Sequence, residues 1–200
     1  MGAVPEDHVV LVDERCRALG LAPRATVHGT DTPLHLAFSC YLFRPTGELL
    51  LTRRSLTKVA WPGVWTNSFC GHPRLEESFE QTIQRYAAHE LGLGADRIEK
   101  VLPDFRYRAE DSSGIVENEI CPVFTAVTSE EPQANPDEVM DHHWVPVADV
   151  ETLVRTAPWT VSPWMQLQWP GVLHALRNPG GTAGAEVRGG PTGPTGVEQT

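Results

Sequence analysis

Hydrophobic positions in this chain fall in short runs punctuated by glycine and proline. His8 to Val12 (HVVLV) is the first, and it predicts a strand. Leu34 to Phe43 (LHLAFSCYLF) is apolar and aromatic, Pro45-Thr46-Gly47 follows, and Glu48 to Arg53 (ELLLTR) resumes the pattern. That spacing predicts a β-hairpin. Residues 55–73 hold Pro62, Gly63, Gly71 and Pro73 and read as a structured loop. Pro73 suits the first turn of a helix running to about Leu91, which Gly92 and Gly94 end. Phe105 to Arg108, Ile115 to Thr128 and Val139 to Val145 are strand-like, with a pairing turn available at Ser113-Gly114. Asp149 to Thr156 and Pro163 to Arg177 read as helices. Strands interleaved with helices predict an α/β (α+β) fold with a mixed sheet between helices, built as one domain over residues 1–177. From Asn178 onward there are almost no apolar side chains to repay ordering, so 178–200 is expected to be a disordered tail.

A chain of 200 residues, 40% of them hydrophobic, can bury one real core. Its formal net charge of −10 disfavours nucleic acid as a partner, because phosphate backbones need a basic face. A small phosphorylated ligand is not excluded, since a local group of cations can hold one inside an acidic protein. The N-terminus lacks a basic segment ahead of an apolar core, and no window approaches the roughly 18 apolar residues of a membrane span. Its MGAVPE start is a poor myristoylation signal, with Glu6 where Ser or Thr belongs. Cys16, Cys40, Cys70 and Cys121 lie far apart and form no CxxC pair. The expectation is a reduced, cytoplasmic protein with no membrane segment, in which one thiol is available for chemistry.

The segment Thr66 to Pro73 (TNSFCGHP) sets Cys70 two residues before His72, at what reads as a loop-to-helix junction. Amides at a helix N-terminus favour negative charge and would lower a nearby thiol's pKa. Cys70 is therefore a candidate reactive thiol, with a buried structural cysteine as the alternative. His28 and His35 stand seven residues apart, just before and at the start of an apolar run. In Val116 to Ile120 (VENEI), Glu117 and Glu119 are two apart and share one face of a strand. They either line a solvated edge or are drawn together by a metal that offsets their repulsion. Three imidazoles and two carboxylates make a nitrogen and oxygen shell that suits Mn²⁺, Mg²⁺ or Fe²⁺ and admits Zn²⁺.

TNSFCGHP, the paired glutamates of GIVENE, the DFRYRA segment around Tyr107 and the SPWM segment around Trp164 occur in order from about His28 to Met165. Together they resemble type I isopentenyl diphosphate isomerase, a family built on the Nudix fold. The hydrolase version of that fold carries GxxxxxE followed by REUxEExGU. Gly71, Glu77, Arg85, Glu90 and Gly92 fit that pattern, whereas Tyr86 and His89 replace two of its glutamates. Tyr86, His89 and Glu90 are expected on one helical face. With one carboxylate left there, metal-dependent hydrolysis is disfavoured. The resemblance implies that Glu90 serves a substrate-bound Mg²⁺. It further implies that His28, His35, His72, Glu117 and Glu119 hold a second ion, Mn²⁺ or Mg²⁺.

The implied reaction interconverts isopentenyl and dimethylallyl diphosphate through a tertiary carbocation. One proton is added at the terminal carbon and another lost from the carbon nearer the diphosphate, so two proton-handling groups must face opposite sides of the substrate. The resemblance assigns Glu119, with Tyr107 as relay, to the protonating side and Cys70, as thiolate, to the removal. It gives Trp164 the stabilisation of the cation. Arg24, Arg54 and Lys58 become the diphosphate contacts, Arg24 standing in for a lysine and Arg53 staying unassigned. Some members carry a helix arginine where this chain has Tyr86, and Arg85 beside it points about 100° away around the helix. A Nudix diphosphate hydrolase and a silent binding module are the competing readings. The first needs the missing carboxylates, and the second should have lost Cys70 or Glu119.

Overall fold

The computed structural model describes residues 7–179. Strand β1 (His8–Val12) pairs antiparallel with β2 (Ala18–Pro23), and a short helix α1 (Arg24–Val27) leads on to β3 (His35–Leu36) and β4 (Phe38–Phe43). Next come β5 (Glu48–Arg54), β6 (Trp65–Thr66), β7 (Phe69–Gly71) and helix α2 (Phe79–Tyr86). Strands β8 (Asp96–Leu102), β9 (Arg106–Glu110), β10 (Val116–Ile120), β11 (Val123–Val127) and β12 (Val139–Pro146) follow, and α3 (Val147–Thr156) and α4 (Pro163–Arg177) close the chain.

The strands form two mixed sheets. One runs β2-β1-β3-β10-β9; the other runs β12-β5-β4-β11-β8, with β6 beside β5 and β7 beside β4. The second sheet lies between helices because β4 is apolar on both faces. Phe38, Cys40 and Leu42 meet Ile83 and Tyr86 of α2 on one side. On the other, Tyr41 and Phe43 meet Trp164, Met165 and Trp169 of α4. The expected mixed sheet between helices is thus present, with a second sheet set against it.

Two long apolar runs turn out to be broken strands. Ala37 divides the first, so that β3 lies in one sheet and β4 in the other. Cys121-Pro122 divides the run from Ile115 to Thr128 in the same way, since proline cannot donate to a ladder. The two runs cross between the sheets side by side, pairing parallel as β3 with β10 and as β4 with β11. The expected hairpin of residues 34–53 survives only at Phe43 opposite Leu49, because β7 takes up β4 and β6 takes up β5.

Helix α2 starts later than Pro73 suggests. Ser78 accepts from the Gln81 amide while the Gln81 side chain accepts from Ser78 N, and this capping box fixes the first turn at Phe79. Residues Ala87–Leu91 continue it as a π-wound turn, and Gly92 ends it at φ 65°, as expected of that glycine. Strands β2 and β8 carry too few inward apolar side chains to be legible as alternation. No helix among the described residues is long and apolar enough to cross a membrane. From position 180 the expected disordered tail lies outside the described residues.

Candidate active site

Backbone register brings the candidate groups together. Across the parallel pair His35 sits opposite Glu119, and across the antiparallel pair Tyr107 sits opposite the same Glu119. Strand β10 is flanked on both sides, so Glu117 and Glu119 do not face solvent from an edge. Both are buried. β7 adds Cys70 opposite Ser39 of β4, with His72 just beyond it, and α1 delivers His28.

One ligand atom from each of His28, His35, His72 and Glu119 lies within 4.8 Å of the others. His35 Nε2 and His72 Nε2 are 3.2 Å apart, and each lies within 3.5 Å of Glu119 Oε1. His35 Nδ1 lies 2.9 Å from the Pro33 carbonyl, which can accept only from a protonated Nδ1. In the neutral ring that leaves the Nε2 lone pair facing the cluster. Glu117 Oε2 stands 3.1 Å from His28 Nε2, yet both atoms are buried with no hydrogen bond. Buried polar atoms rarely go without partners. Converging lone pairs with two buried, unpartnered ligand atoms fit a divalent cation among His28, His35, His72 and Glu119, with Glu117 at its margin beside His28.

The electrostatics follow from burial and crowding. Burial opposes charge on Glu119, but the imidazoles of His35 and His72 hold its carboxyl well below the usual range. Burial and the Glu119 charge push Glu117 up. Burial drives His72 down to about 4. Glu90 is raised by burial, with Lys58 opposing.

Cys70, Tyr107, Trp164, Glu117 and Glu119 line one cavity of ≈ 360 Å³, which Arg24, Arg54, Lys58 and Glu90 also reach. The thiol is not at a helix N-terminus, because α2 begins only at Phe79. No helix amides lower its pKa. Burial instead pushes Cys70 up to about 12, which favours the thiol before substrate and metal are bound. Its sulfur lies 3.3 Å from Ser39 Oγ and donates to Asn67 Oδ1 at 3.3 Å. The Trp164 indole donates to that same Oδ1 at 2.9 Å. Asn67 therefore ties the thiol to the tryptophan, a role nothing in the sequence revealed beyond its place in TNSFCGHP. Tyr107 is stacked on Phe105 and lies 6.0 Å from the Trp164 ring, its hydroxyl pKa raised by burial.

The cations are present but already engaged. Arg24 Nε binds Asp7 at 2.8 Å. Arg54 donates to the carbonyls of Ala60 and Trp61, and its guanidinium lies 5.5 Å from the centre of the Trp164 ring. Lys58 bridges Glu90, at 3.2 Å, and Glu138. Arg53 donates to the Gly63 carbonyl. The expectation that Tyr86, His89 and Glu90 share a face holds for Tyr86 and Glu90, both buried at the cavity. It fails for His89, which is exposed and 3.4 Å from Glu138. Successive helix positions diverge by about 100°, and the π-wound turn places Glu90 rather than His89 inward. Tyr86 is committed to structure. Its hydroxyl accepts from the His72 amide at 3.2 Å, and its ring covers Gly71 so closely that a Cβ there would lie 2.2 Å from Cζ. Glu77 and Arg85 form a two-point ion pair at 2.8 and 2.6 Å, and Arg85 also donates to the His72 carbonyl at 3.1 Å.

A NUDIX domain model matches residues 33–166. An isopentenyl-diphosphate Delta-isomerase of Agromyces mediolanus is 56% identical over 180 residues, covering 90% of this chain and 85% of its own. One from Paenarthrobacter aurescens is 54% identical over 179 residues, covering 90% and 97%. In fold, a Deinococcus radiodurans protein of known structure aligns with TM-score 0.63 at 18% identity, covering 82% of this chain and 98% of its own. A MutT NUDIX hydrolase from Burkholderia pseudomallei aligns with TM-score 0.54 at 21% identity, covering 70% and 98%. The hydrolase likeness extends to the fold alone, whereas the sequence likeness to the isomerases spans nearly the whole chain, which belongs to the NUDIX family and, within it, to the isopentenyl-diphosphate Delta-isomerases.

Proposed function

We propose that the protein interconverts isopentenyl diphosphate and dimethylallyl diphosphate. The observation that carries this reading is that Cys70 and Glu119, on β7 and β10, line a single cavity with an indole and a phenol. An unactivated alkene is a very weak base, so its protonation needs a positioned acid and a wall that tolerates positive charge. For a forward turnover a solvent-mediated exchange first moves the Cys70 thiol proton to Glu119, which, with Tyr107 beside it in register, delivers it to the terminal carbon. Cys70, as the thiolate left by that exchange, takes a proton from the carbon nearer the diphosphate and becomes the thiol again. The substrate loses as many protons as it gains, and the pair ends a forward turnover with its own protons exchanged, to be reset through solvent. In reverse the roles swap. Trp164 faces the cation between the two steps, an attraction of about 2 kcal/mol in a dry site.

His28, His35, His72, Glu117 and Glu119 would hold Mn²⁺ or Mg²⁺, and Zn²⁺ suits the same donors. When bound, the ion supplies positive charge that fixes the Glu119 carboxylate and tunes its acidity. Glu90 would serve a Mg²⁺ arriving with the diphosphate, and Arg24, Arg54 and Lys58 would contact the phosphates. Arg24 and Lys58 then exchange protein carboxylates, and Arg54 exchanges backbone carbonyls, for phosphate oxygens, and a charge pair at ~4 Å is worth ~4 kcal/mol at an effective dielectric near 20. The reduced, cytoplasmic setting expected from the sequence accords with four free cysteines.

Proton NMR of isopentenyl diphosphate with the protein and Mg²⁺ in heavy water tests the reading. Deuterium is expected in a methyl group of dimethylallyl diphosphate and, through the reverse reaction, in the C2 methylene of isopentenyl diphosphate. Release of phosphate or pyrophosphate with no allylic product would establish a hydrolase instead.

A further inference from the structure

Tyr86 stands on the wall of the catalytic cavity, its hydroxyl and ring occupied with His72 and Gly71. Beside the catalytic cavity lies a second one of ≈ 420 Å³, and Asp7, Arg24, Tyr86 and Glu138 line both. Arg74, Arg85 and His89 complete its wall.

Three guanidinium groups at one cavity make an anion site only where their charge is not already spent. Arg24 is paired with Asp7, and Arg85 is held at two points by Glu77. Glu138 is taken up by Lys58 and His89. Arg74 differs. Among the described residues it has no carboxylate partner, and its Nε is buried without a hydrogen bond. Only its backbone is fixed, by its amide donating to Glu77 Oε2 at 3.0 Å. A buried guanidinium N–H without an acceptor is rare, and the fork of donors it belongs to matches phosphate oxygens at two points.

We propose that Arg74 holds the terminal phosphate of the substrate, with this second cavity as its subsite and Arg24 at the passage from the first. The assignment rests on the proposed diphosphate substrate, and it adds a residue outside the catalytic cavity to substrate binding. It places the anhydride along the wall formed by Tyr86, with the hydrocarbon toward Cys70 and Glu119. Arg74 touches no group assigned to proton transfer, so its loss should weaken binding and spare the chemical step.

The test compares Arg74→Gln and Arg74→Lys with the wild-type protein, all loaded with Mg²⁺ or Mn²⁺. Steady-state turnover of isopentenyl diphosphate gives KM and kcat, and calorimetry gives the affinity for inorganic pyrophosphate. For Arg74→Gln, KM is expected to rise about tenfold or more and pyrophosphate affinity to fall alike, with kcat within about twofold. Arg74→Lys, which keeps the charge and loses the fork, should recover part of both. KM and pyrophosphate affinity unchanged within twofold in Arg74→Gln would overturn the proposal. So would a fall in kcat at constant KM, which would mark a structural influence on the neighbouring His72. Should Arg74→Gln fail to fold, Arg74→Lys decides, with unchanged pyrophosphate affinity counting against. If the wild-type protein does not turn over isopentenyl diphosphate, the function assigned above fails, while the pyrophosphate arm still decides for or against an anion site at Arg74.

Discussion

Replacing Asn67 by alanine tests whether the thiol and the indole are held by one shared group. Asn67 is fully buried, and its amide nitrogen donates to the carbonyls of Cys40 at 2.9 Å and Phe69 at 3.0 Å. Its oxygen accepts from Trp164 Nε1, Cys70 Sγ and Thr66 Oγ1. Thr66 keeps a second partner in Ser162, at 2.8 Å, so its loss is small. Among the described residues the Trp164 N–H has no other acceptor and becomes an orphaned buried donor, at a cost of about 1–3 kcal/mol. Two carbonyls losing a donor bring the total to roughly 3–5 kcal/mol. At about 2–4 °C per kcal/mol for a domain of this size, the melting temperature should fall by roughly 6–20 °C. Freed from Asn67, Cys70 and Trp164 can each shift, and a displacement near 1 Å can cost about 100-fold in turnover. Asn67→Asp keeps the acceptor but turns a second oxygen toward two carbonyls, so it should be at least as destabilising. Differential scanning calorimetry and kcat measurements read both effects. A melting temperature within about 2 °C of wild type for Asn67→Ala would refute the bookkeeping, and unimpaired kcat would refute the positioning role.

Cys70→Ala and Glu119→Gln should each abolish nearly all turnover of isopentenyl diphosphate while far-UV circular dichroism stays unchanged, and activity within about tenfold of wild type in either would remove that residue from the proton pair. His72→Ala should lose bound divalent metal, readable by elemental analysis after dialysis; full occupancy would exclude it as a ligand. Arg85 holds the Glu77 carboxyl down to about 2. A depressed carboxyl stabilises the fold above its unfolded pKa near 4.5 and loses that contribution as pH falls toward 2. After allowance for solvent screening, Glu77→Gln should cost about 2 kcal/mol at neutral pH, and the gap to wild type should close in denaturant titrations at about pH 2–3. A gap independent of pH would locate the effect elsewhere.

The shared face of Glu117 and Glu119 was legible in the sequence because its geometry is local. Two glutamates spaced by two on a strand must share a face, and the register of β10 against β3 and β9 only had to supply partners. The environment of Cys70 was not legible. Pro73 and the Ser78–Gln81 cap both signal a helix start, and only the side-chain bonds of the cap decide between them. The thiol consequently lies in a strand, raised by burial, where a helix terminus would have lowered it. Lys58 read as an available cation because Glu138, its partner in β12's approach, is remote in sequence. The broken strands were hidden too, since a continuous apolar run gives no sign that Ala37 or Pro122 marks a passage between sheets.

That passage has a mechanical consequence. β10 and β11 are one stretch of chain, so the tight interior around Phe124 acts as an anchor for the carboxylates upstream. A slip of one position anywhere along it would present Asn118 to the imidazoles and swing Glu119 to the opposite side. Fidelity of the reactive geometry is therefore policed from the oily centre of the molecule, where the penalty for misalignment is greatest.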